Sequence, residues 1–294
     1  MKIIEPKVEF MEQHDFNSHV ANCARVCYKK ESGDDARTVN NLVLNKHFSM
    51  LRHYTYYYII KNNYIPMIYN FATAIQNGIV IAGLDIKVDY YNNCVFVVAN
   101  GQFVNEHINI IRAIKYFEVD KNEFKNYEIG YNMLRYTFKV TTQISTSREL
   151  NRVSPNNISE QSTRYVYEDG TICRPHWMTD EEVNYLNNKP IFIEWCDIHE
   201  KAFIYIESCN NSFNKYRLLV NKGMHRQDAR GVLPLDTATV CIYTYSIEEW
   251  RHIIDLRYYG TTGKPHENAK IIAGMIKDEL ETCGYDFKNF KEEN

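Results

Sequence analysis

The amino-acid sequence predicts an α+β fold. Runs of β-prone residues, at 54–60 and 135–144, are separated by segments in which apolar residues recur at helical spacing. The chain has 294 residues and a hydrophobic content of 45%, so it can bury a substantial core. That length suits one large domain, or one domain that carries an inserted lobe.

The first half of the chain contains several elements that local signals predict. In order, they are a strand at 8–10, helices at 16–27 and 34–44, a strand at 54–60, paired strands at 86–90 and 94–99, a helix at 104–116 and a strand at 135–144. Asn92 and Asn93 predict a hairpin because asparagine tolerates tight-turn backbone angles. Ile108, Ile111 and Ile114 form the predicted inner face of the helix at 104–116.

The second half is predicted to be mainly helical. In order, its elements are a short helix opened by Thr179–Glu182, a long helix from Pro190 to about Gly223, a strand ending at Tyr245, a helix from Ser246 and a last helix ending near Gly284. Two of these helices begin with a capping box. The long helix has an apolar face that predicts core or a subunit interface, made of Trp195, Ile198, Ala202 and Ile206.

Charge and hydropathy exclude some classes of partner. The net charge of -3 and the sequence pI of about 6.4 give no overall basic field, which argues against a nucleic-acid polymer but permits a local site for a small anion. The first residues, MKIIEPKVEFMEQHDF, lack the apolar core of a signal peptide, and no apolar run is long enough to span a bilayer. We therefore expect a cytoplasmic protein without membrane contact.

Eight cysteines are scattered through the chain without a CxxC pair or a Cys/His cluster at zinc spacing. Most are expected to be buried free thiols, and no metal site is predicted. Cys23 and Cys27 fall on one face of the first predicted helix, which suggests packing more than redox chemistry.

The segment from Ser147 to Tyr165, SRELNRVSPNNISEQSTRY, concentrates polar side chains where no regular element is expected. Pro155 removes an amide, and the two asparagines after it tolerate unusual dihedrals, so a turn is predicted. The residues that follow offer hydroxyls and a guanidinium that can bind a phosphate; they are Glu160, Gln161, Ser162, Thr163 and Arg164. A polar surface loop with a capping serine is the alternative interpretation.

Two later arginines are further candidates for ligand contact. Arg230 lies between Ala229 and Gly231, small neighbours that leave room for a ligand. Arg257 ends an apolar helical face that begins at Trp250, so it can point into a partly buried site. The alternatives are an ordinary surface arginine for Arg230 and, for Arg257, a cation that complements the helix dipole.

These residues resemble the signature of the flavin-dependent thymidylate synthases, the thymidylate synthase complementing protein family. In that family Arg-His-Arg is followed after seven residues by Ser-x-Arg, usually with Tyr next. Here Arg152 opens the triplet, and Ser162, Arg164 and Tyr165 follow at that spacing. The family's later Ala-Arg-x-x-Leu-Pro and Leu-Arg are similar to the sequence around Arg230 and Arg257, in the same order.

The resemblance also implies a set of flavin contacts. A family stretch, Gly-His-x-Ser-x-x-Glu-His before a strand, is matched at His47, Ser49 and His53. The implied cofactor-binding positions are His53, Thr55, Arg152, Val153, Ser154, Ser246 and His252. Val153 and Ser154 replace the His and second Arg of the family triplet, and Ser246 and Glu248 also depart from the common residues.

The family resemblance implies a mixed sheet with long helices in a single catalytic domain, 1–294, of which about 62–136 is an inserted α/β elaboration. It implies reductive methylation of dUMP to dTMP by a homotetramer whose sites lie between subunits. FAD would be the cofactor, with NADPH and 5,10-methylenetetrahydrofolate as co-substrates. Glu160, Gln161, Ser162, Thr163, Arg164 and Arg230 would bind the nucleotide, helped by backbone amides near Glu160 and Gln161. Arg257 would activate the pyrimidine, with no enzymic nucleophile.

Two other functions are compatible with the same residues. The fold can act on a different pyrimidine nucleotide or transfer a different one-carbon group, an alternative that the changed residues after Arg152 motivate. The chain can also be a non-catalytic nucleotide-binding homologue that retains the phosphate residues and has lost the flavin.

Overall fold

The computed structural model describes residues 1–61, 66–152, 157–188 and 197–287. Its strands are β1 (Lys2–Ile4), β2 (Lys7–Met11), β3 (Thr55–Lys61), β4 (Leu84–Asp89), β5 (Cys94–Asn100), β6 (Glu118–Val119), β7 (Arg135–Gln143), β8 (Ile158–Glu160), β9 (Thr171–Cys173) and β10 (Ala238–Ser246).

The α-helices of the described residues are α1 (Phe16–Val26), α2 (Asp35–Leu44), α3 (Pro66–Gln76), α4 (Gly101–Glu106), α5 (Ile108–Ile114), α6 (Lys121–Phe124), α7 (Glu128–Tyr131), α8 (Ile144–Asn151), α9 (Asp180–Asn188), α10 (Glu200–Asn221), α11 (Arg226–Ala229), α12 (Ile247–Ile254) and α13 (Glu267–Thr282). Short 3₁₀ helices lie at Phe48–His53, Lys115–Phe117 and Arg230–Val232, and a π-helical turn lies at Asp255–Tyr259.

Three sheets organise these elements. One four-stranded antiparallel sheet has the order β2-β7-β10-β8, and a second has the order β4-β5-β3-β6. β1 and β9 pair in parallel. The chain is therefore an α+β protein, as predicted, with parallel and antiparallel pairing in separate sheets.

β10 is the strand on which the first sheet depends. It pairs with β7 along its whole length, from Ala238 opposite Gln143 to Ser246 opposite Arg135. Its other edge pairs with the short β8, where Cys241 lies opposite Glu160. Because side chains alternate between the two faces of a strand, this register fixes which β8 residues point into the core.

The second sheet is built largely from the segment predicted as an insertion. β4 and β5 form the predicted hairpin, which turns at Asn92 and Asn93, and Asn93 has a φ of 51° in the left-handed region that asparagine tolerates. The Asp89 carboxylate accepts hydrogen bonds from the amides of Tyr91 and Asn92, at 3.1 and 3.0 Å. β5 then pairs with β3, which precedes the segment predicted as an insertion, so strands of that segment extend a sheet element that lies outside it.

Both four-stranded sheets contribute to one hydrophobic core. Tyr57 and Phe96 of the second sheet share a cluster with Phe138 and Tyr245 of the first, and with Trp250 of α12. The Trp250 indole nitrogen donates to the carbonyl of Tyr136 at 3.2 Å, so this buried ring leaves no polar atom unpaired. Removing a ring of that size from a core costs about 3–5 kcal/mol, which makes this cluster a main source of stability.

The predicted helix caps are confirmed. The Asp34 side chain accepts from the Arg37 amide at 2.9 Å and opens α2. Ser246 and Glu249 form a reciprocal capping box at the start of α12. Thr179 and Glu182 exchange the same pair of bonds ahead of α9, at 3.2 and 2.8 Å.

The single helix predicted at 104–116 is wrong. The chain forms α4, leaves helical geometry at His107 with φ of -119° and ψ of 43°, and then forms α5. The Asn100 side chain caps the Phe103 amide and sets an earlier start for the first piece. Ile111 and Ile114 are buried as predicted, whereas Ile108 is exposed because the break changes the direction of the helix face.

The long helix is shorter in its described part than predicted. α10 begins at Glu200 and ends before Gly223, whose φ of 91° terminates it. Ala202 and Ile206 are buried, but Ile198 is exposed because His199 interrupts the helix after it. Pro190 and Trp195 lie outside the described residues.

The described cysteines are free thiols, and most are buried: Cys23, Cys94, Cys173, Cys209 and Cys241, with Cys27 and Cys283 partly buried. Within the described ranges, His, Cys, Asp and Glu side chains form no cluster of three or more that could hold a metal. Across those same ranges, no helix combines the length and apolar character needed to cross a bilayer.

Candidate functional site

A cavity of about 560 Å³ lies where three segments of the chain meet. The segments are the start of α8, the end of β8 with the turn after it, and the loop that leads into β10. All of the predicted substrate-binding residues except Arg164 line this cavity: Glu160, Gln161, Ser162, Thr163 and Arg230. The structure therefore brings together residues that are up to seventy positions apart in the sequence.

Sheet pairing explains why these segments meet. α8 follows β7 directly, and the loop before β10 runs beside its first turn. The amides of Ile144 and Ser145 donate to the carbonyls of Thr237 and Leu235, at 3.1 and 3.0 Å. β8 closes the third side, because it pairs with β10 next to that loop.

Glu160 is held by hydroxyl groups on the cavity wall. The Ser147 hydroxyl donates to one carboxylate oxygen at 2.8 Å, and the Thr239 hydroxyl approaches the same oxygen at 3.3 Å. The carboxylate thus connects α8, β8 and β10. These bonds fix its orientation before any ligand binds.

Three guanidinium groups make the cavity region cationic. Arg230 donates to the Thr163 hydroxyl at 3.0 Å and to the Gln227 carbonyl at 3.1 Å. Arg164 lies beside the cavity, where it reaches the Gln227 side-chain oxygen at 3.4 Å and stacks on the Tyr165 ring. Gln227 thereby connects the two predicted phosphate-binding arginines.

Arg148 is the third cation, and no role was assigned to it from the sequence. It is an exposed residue of α8 that lines the cavity. A signal for it does exist. Arg148 precedes Arg152 by four residues, and residues at that spacing share one face of a helix.

Two of the backbone amides near the predicted phosphate site already have partners, and help from the other amides of this segment stays a prediction. The Gln161 amide donates to the Val240 carbonyl at 2.8 Å, and the Ser162 amide donates to the Cys27 carbonyl at 3.1 Å. Both amides are used to hold the turn against β10 and α1.

Gln161 is backed by a buried carboxyl. The Gln161 side-chain nitrogen lies 3.4 Å from Glu168, which is only 3% exposed. Burial is the largest influence on Glu168 and raises its pKa to about 7, while Gln161 and Lys29 oppose that shift. A carboxyl group that titrates near neutral pH thus lies behind the cavity wall.

Arg257 contacts the last turn of α8 and is not among the residues that line the cavity. It belongs to the π-helical turn, and its guanidinium donates to the Glu149 carbonyl through two nitrogens, at 3.1 and 2.9 Å. It therefore caps the C-terminal end of α8. The sequence alternative was a cation that complements the dipole of its own helix, and here the cation lies at the end of a neighbouring helix. A guanidinium has five N–H donors, so these two bonds orient it without exhausting its donor capacity.

The predicted flavin contacts include two residues that are buried inside the protomer. His53 is 0% exposed and lies between two sheet strands, 2.8 Å from the Thr244 hydroxyl and 2.8 Å from the Ser159 hydroxyl. Burial lowers its pKa to about 3, so the ring is neutral. Thr55 is also buried. Flavin contact by either residue stays a prediction, because neither side chain is accessible to a ligand in this conformation.

The other predicted flavin contacts are dispersed. Ser246 caps α12 and lines a cleft of about 220 Å³ together with Arg135 and Asp85. Arg152 and His252 are exposed, and Val153 and Ser154 lie outside the described residues.

These positions do not converge on one cavity within the described part of a single protomer. The exposed Arg152 and His252 are accessible to a bound group, whereas the buried His53 and Thr55 are not. Of the implied flavin contacts, the exposed residues therefore fit a bound flavin and the buried ones do not.

The fold and the cavity define a class: an α+β protein with a cationic, nucleotide-sized site beside an antiparallel sheet. The family model described as thymidylate synthase complementing protein matches residues 130–282, just over half of the chain. The chain belongs to this family, which confirms the resemblance found in its motifs.

Two curated relatives have similar sequences. The flavin-dependent thymidylate synthase of Thermosipho melanesiensis is 26% identical over 186 residues, which cover 61% of this chain and 80% of the relative. That of Thermosipho africanus is 27% identical over 186 residues, with the same coverage. Both relatives are methyltransferases, so the predicted enzyme class is confirmed at the level of the family.

A solved structure also aligns with most of the chain. It is the UMP/dUMP methylase PolB from Streptomyces cacaoi, bound with 5-Br dUMP, at 16% identity and a TM-score of 0.45. The alignment covers 96% of this chain and 93% of that one. A likeness of this size carries no argument about the site.

The titration of Glu168 predicts a pH-dependent stability. A carboxyl whose folded pKa is raised stabilises the fold while it is neutral, and this contribution is lost as the pH rises through about 7. Glu168→Gln should therefore raise the free energy of unfolding at pH 8 by up to about 3 kcal/mol, with most of that difference gone at pH 5. Urea unfolding at both pH values, with the exposed Glu207→Gln as control, measures this. An effect of equal size at both pH values would contradict it.

Proposed function

We propose that this chain is a flavin-dependent thymidylate synthase that converts dUMP to dTMP, with 5,10-methylenetetrahydrofolate as the one-carbon donor and NADPH as the reductant. The observation that carries the proposal is the convergence of Ser162, Thr163 and Arg230 on one cavity with Arg164 beside it. These are the positions at which the chain keeps the family's phosphate-binding residues. Family membership supplies the reaction class.

The nucleotide phosphate would lie against Arg230, Arg164 and the Ser162 hydroxyl. Arg230 is already oriented by Thr163, and Arg164 by Gln227 and the Tyr165 ring. Each hydrogen bond to a charged group contributes about 1.5–3 kcal/mol. Since the arginines are placed before binding, less side-chain entropy is lost when the phosphate arrives.

Arg257 would act at the pyrimidine. A cation beside N3 and O4 stabilises the negative charge that develops as C5 becomes nucleophilic. Its two bonds to the Glu149 carbonyl would hold the guanidinium in place during that change. Because the group does not line the cavity of its own protomer, we propose that the pyrimidine reaches it where two copies of the chain meet.

No side chain needs to attack the pyrimidine. Burial raises the pKa of the Cys27 and Cys241 thiols, so neither is an activated thiolate near the cavity. Ser162 donates or accepts hydrogen bonds and is proposed as a ligand of the phosphate, not as a nucleophile. The pyrimidine would therefore be activated by Arg257, without a covalent bond to the protein.

A bound flavin would supply the redox and carrier chemistry that these side chains lack. Arg152 and His252, both exposed, are the residues proposed to hold it, at a site completed by another subunit of a homotetramer. NADPH and the folate would approach the same interface. This arrangement explains why the implied flavin residues are dispersed in one protomer.

The main alternative keeps the fold and changes the chemistry. Glu248, which departs from the common family residue, is bonded to Lys87 of the inserted hairpin at 2.8 Å, and Ser246 is used as a helix cap. These positions therefore have a local structural role that does not require flavin. The second candidate is therefore an enzyme of the same fold that acts on a different pyrimidine nucleotide or transfers a different one-carbon group. A non-catalytic nucleotide-binding homologue is the third.

Absorption spectroscopy separates these functions. Protein that is incubated with FAD and then freed of unbound FAD by gel filtration should keep a flavin band. dUMP should perturb this band because both ligands share one site, and NADPH with the folate should then give dTMP. Flavin binding with turnover of another pyrimidine nucleotide would favour the changed-chemistry alternative. dUMP binding without any flavin band would contradict the synthase assignment and support the non-catalytic homologue.

Arginine variants separate binding from activation. Arg230→Ala should weaken dUMP affinity by about 10–100-fold, because it removes a charged phosphate contact. Arg257→Ala should abolish turnover with little change in dUMP affinity, because its contact is made in the transition state. Isothermal titration and turnover assays measure both, with the exposed Arg112→Ala as control. Unchanged dUMP affinity in Arg230→Ala would contradict the phosphate role, and unfolding of Arg257→Ala would show that its bond to α8 is its main function.

A further inference from the structure

A buried carboxyl lies directly behind the cavity wall and has no part in the proposed reaction. Glu168 follows the turn that carries Ser162 and Arg164, and its carboxylate faces the side chain of Gln161, 3.4 Å away. Gln161 lines the cavity, and its backbone is fixed to β10 by the bond from its amide to Val240. Gln161 therefore connects the Glu168 carboxylate to the cavity.

The groups packed around Glu168 come from three elements. They are Lys29 after α1, its exposed ion-pair partner Asp169, Tyr216 and Arg217 of α10, and Arg226 of α11. Lys29 pairs with Asp169 at 3.2 Å, and Arg217 donates to the Asp169 carbonyl at 2.8 Å. The Tyr216 hydroxyl is buried without a hydrogen-bond partner in the described residues. Arg226 donates to the Tyr165 carbonyl at 2.7 Å, so all three cations have other partners. In the described part of the chain, Gln161 is the side chain that hydrogen-bonds to the Glu168 carboxylate.

An amide responds to the protonation of a carboxyl that it faces. A charged carboxylate only accepts hydrogen bonds, so it takes the Gln161 nitrogen and leaves the amide oxygen toward the cavity. A protonated carboxyl can donate to the amide oxygen, which turns the N–H donors toward the cavity. An anion favours the second arrangement, because it needs donors and repels a nearby carboxylate.

We propose that Glu168 is a positioning residue which, by taking up a proton, turns the Gln161 amide so that it donates to the anionic group of a nucleotide in the cavity. The proposal rests on the nucleotide-binding function proposed above. It adds that the protein takes up a proton when the nucleotide binds. The proton moves from solvent to a Glu168 carboxylate oxygen, and no other bond is made or broken. Nucleotide affinity consequently falls as the pH rises through about 7, where the carboxyl titrates.

Proton uptake on binding is the measurement that tests this inference. Titration calorimetry with dUMP at pH 7.5, repeated in buffers of different ionisation enthalpy, counts the protons taken up. At that pH the ligand phosphate is almost wholly dianionic, since its second pKa is about 6. We expect uptake of roughly half a proton by the wild type, for a one-unit rise in the Glu168 pKa on binding.

Two variants make the result specific. Glu168→Gln has the same shape but cannot titrate, and Gln161→Leu removes the amide between carboxyl and ligand. Both should lose most of the uptake. The wild type is expected to lose roughly sixfold in affinity between pH 6.5 and 8.5, and this fall should flatten in both variants. Uptake that is unchanged in either variant would overturn the role of Glu168. Absence of dUMP binding by the wild type would overturn the nucleotide site itself, and the inference with it.

Discussion

The antiparallel pairing of β10 with β7 on one edge and β8 on the other is the constraint on which the site depends. A shift of one residue between β8 and β10 would turn Ser159 away from His53 and Glu160 away from Ser147. His53 stabilises this register, because its ring hydrogen-bonds to the Thr244 hydroxyl of β10 and to the Ser159 hydroxyl of β8. A histidine implied as a flavin contact thus has a structural role in the protomer described.

The same pairing places three kinds of polar group around one cavity. Glu160 is fixed by hydroxyls, Arg230 and Arg164 are connected through Gln227, and Gln161 separates the cavity from Glu168. Each group is oriented by the protein before a ligand binds, which is what a phosphate-binding site requires. Arg257 is held at the last turn of α8 by the Glu149 carbonyl, whereas Ser147 and Arg148 of the same helix line the cavity.

Features that depend on neighbouring residues were predictable from the sequence. The capping boxes at Thr179 and Ser246 and the hairpin at Asn92 are local, and the structure confirms them. The bonding of His53 was not predictable, because its partners lie 106 and 191 residues away. The break at His107 was missed since apolar spacing continues through it. The motif residues identified the cavity wall, whereas the buried Glu168 behind it needed the packed structure to be recognised.

A crystal structure of the protein with dUMP tests the central claim most directly. The account predicts the nucleotide phosphate in the cavity, within hydrogen-bond distance of the Arg230 guanidinium and the Ser162 hydroxyl, with the pyrimidine directed toward Arg257 of the same or an adjoining copy. A nucleotide bound instead in the cleft beside Arg135 and Asp85, or a phosphate out of reach of Arg230, would contradict it.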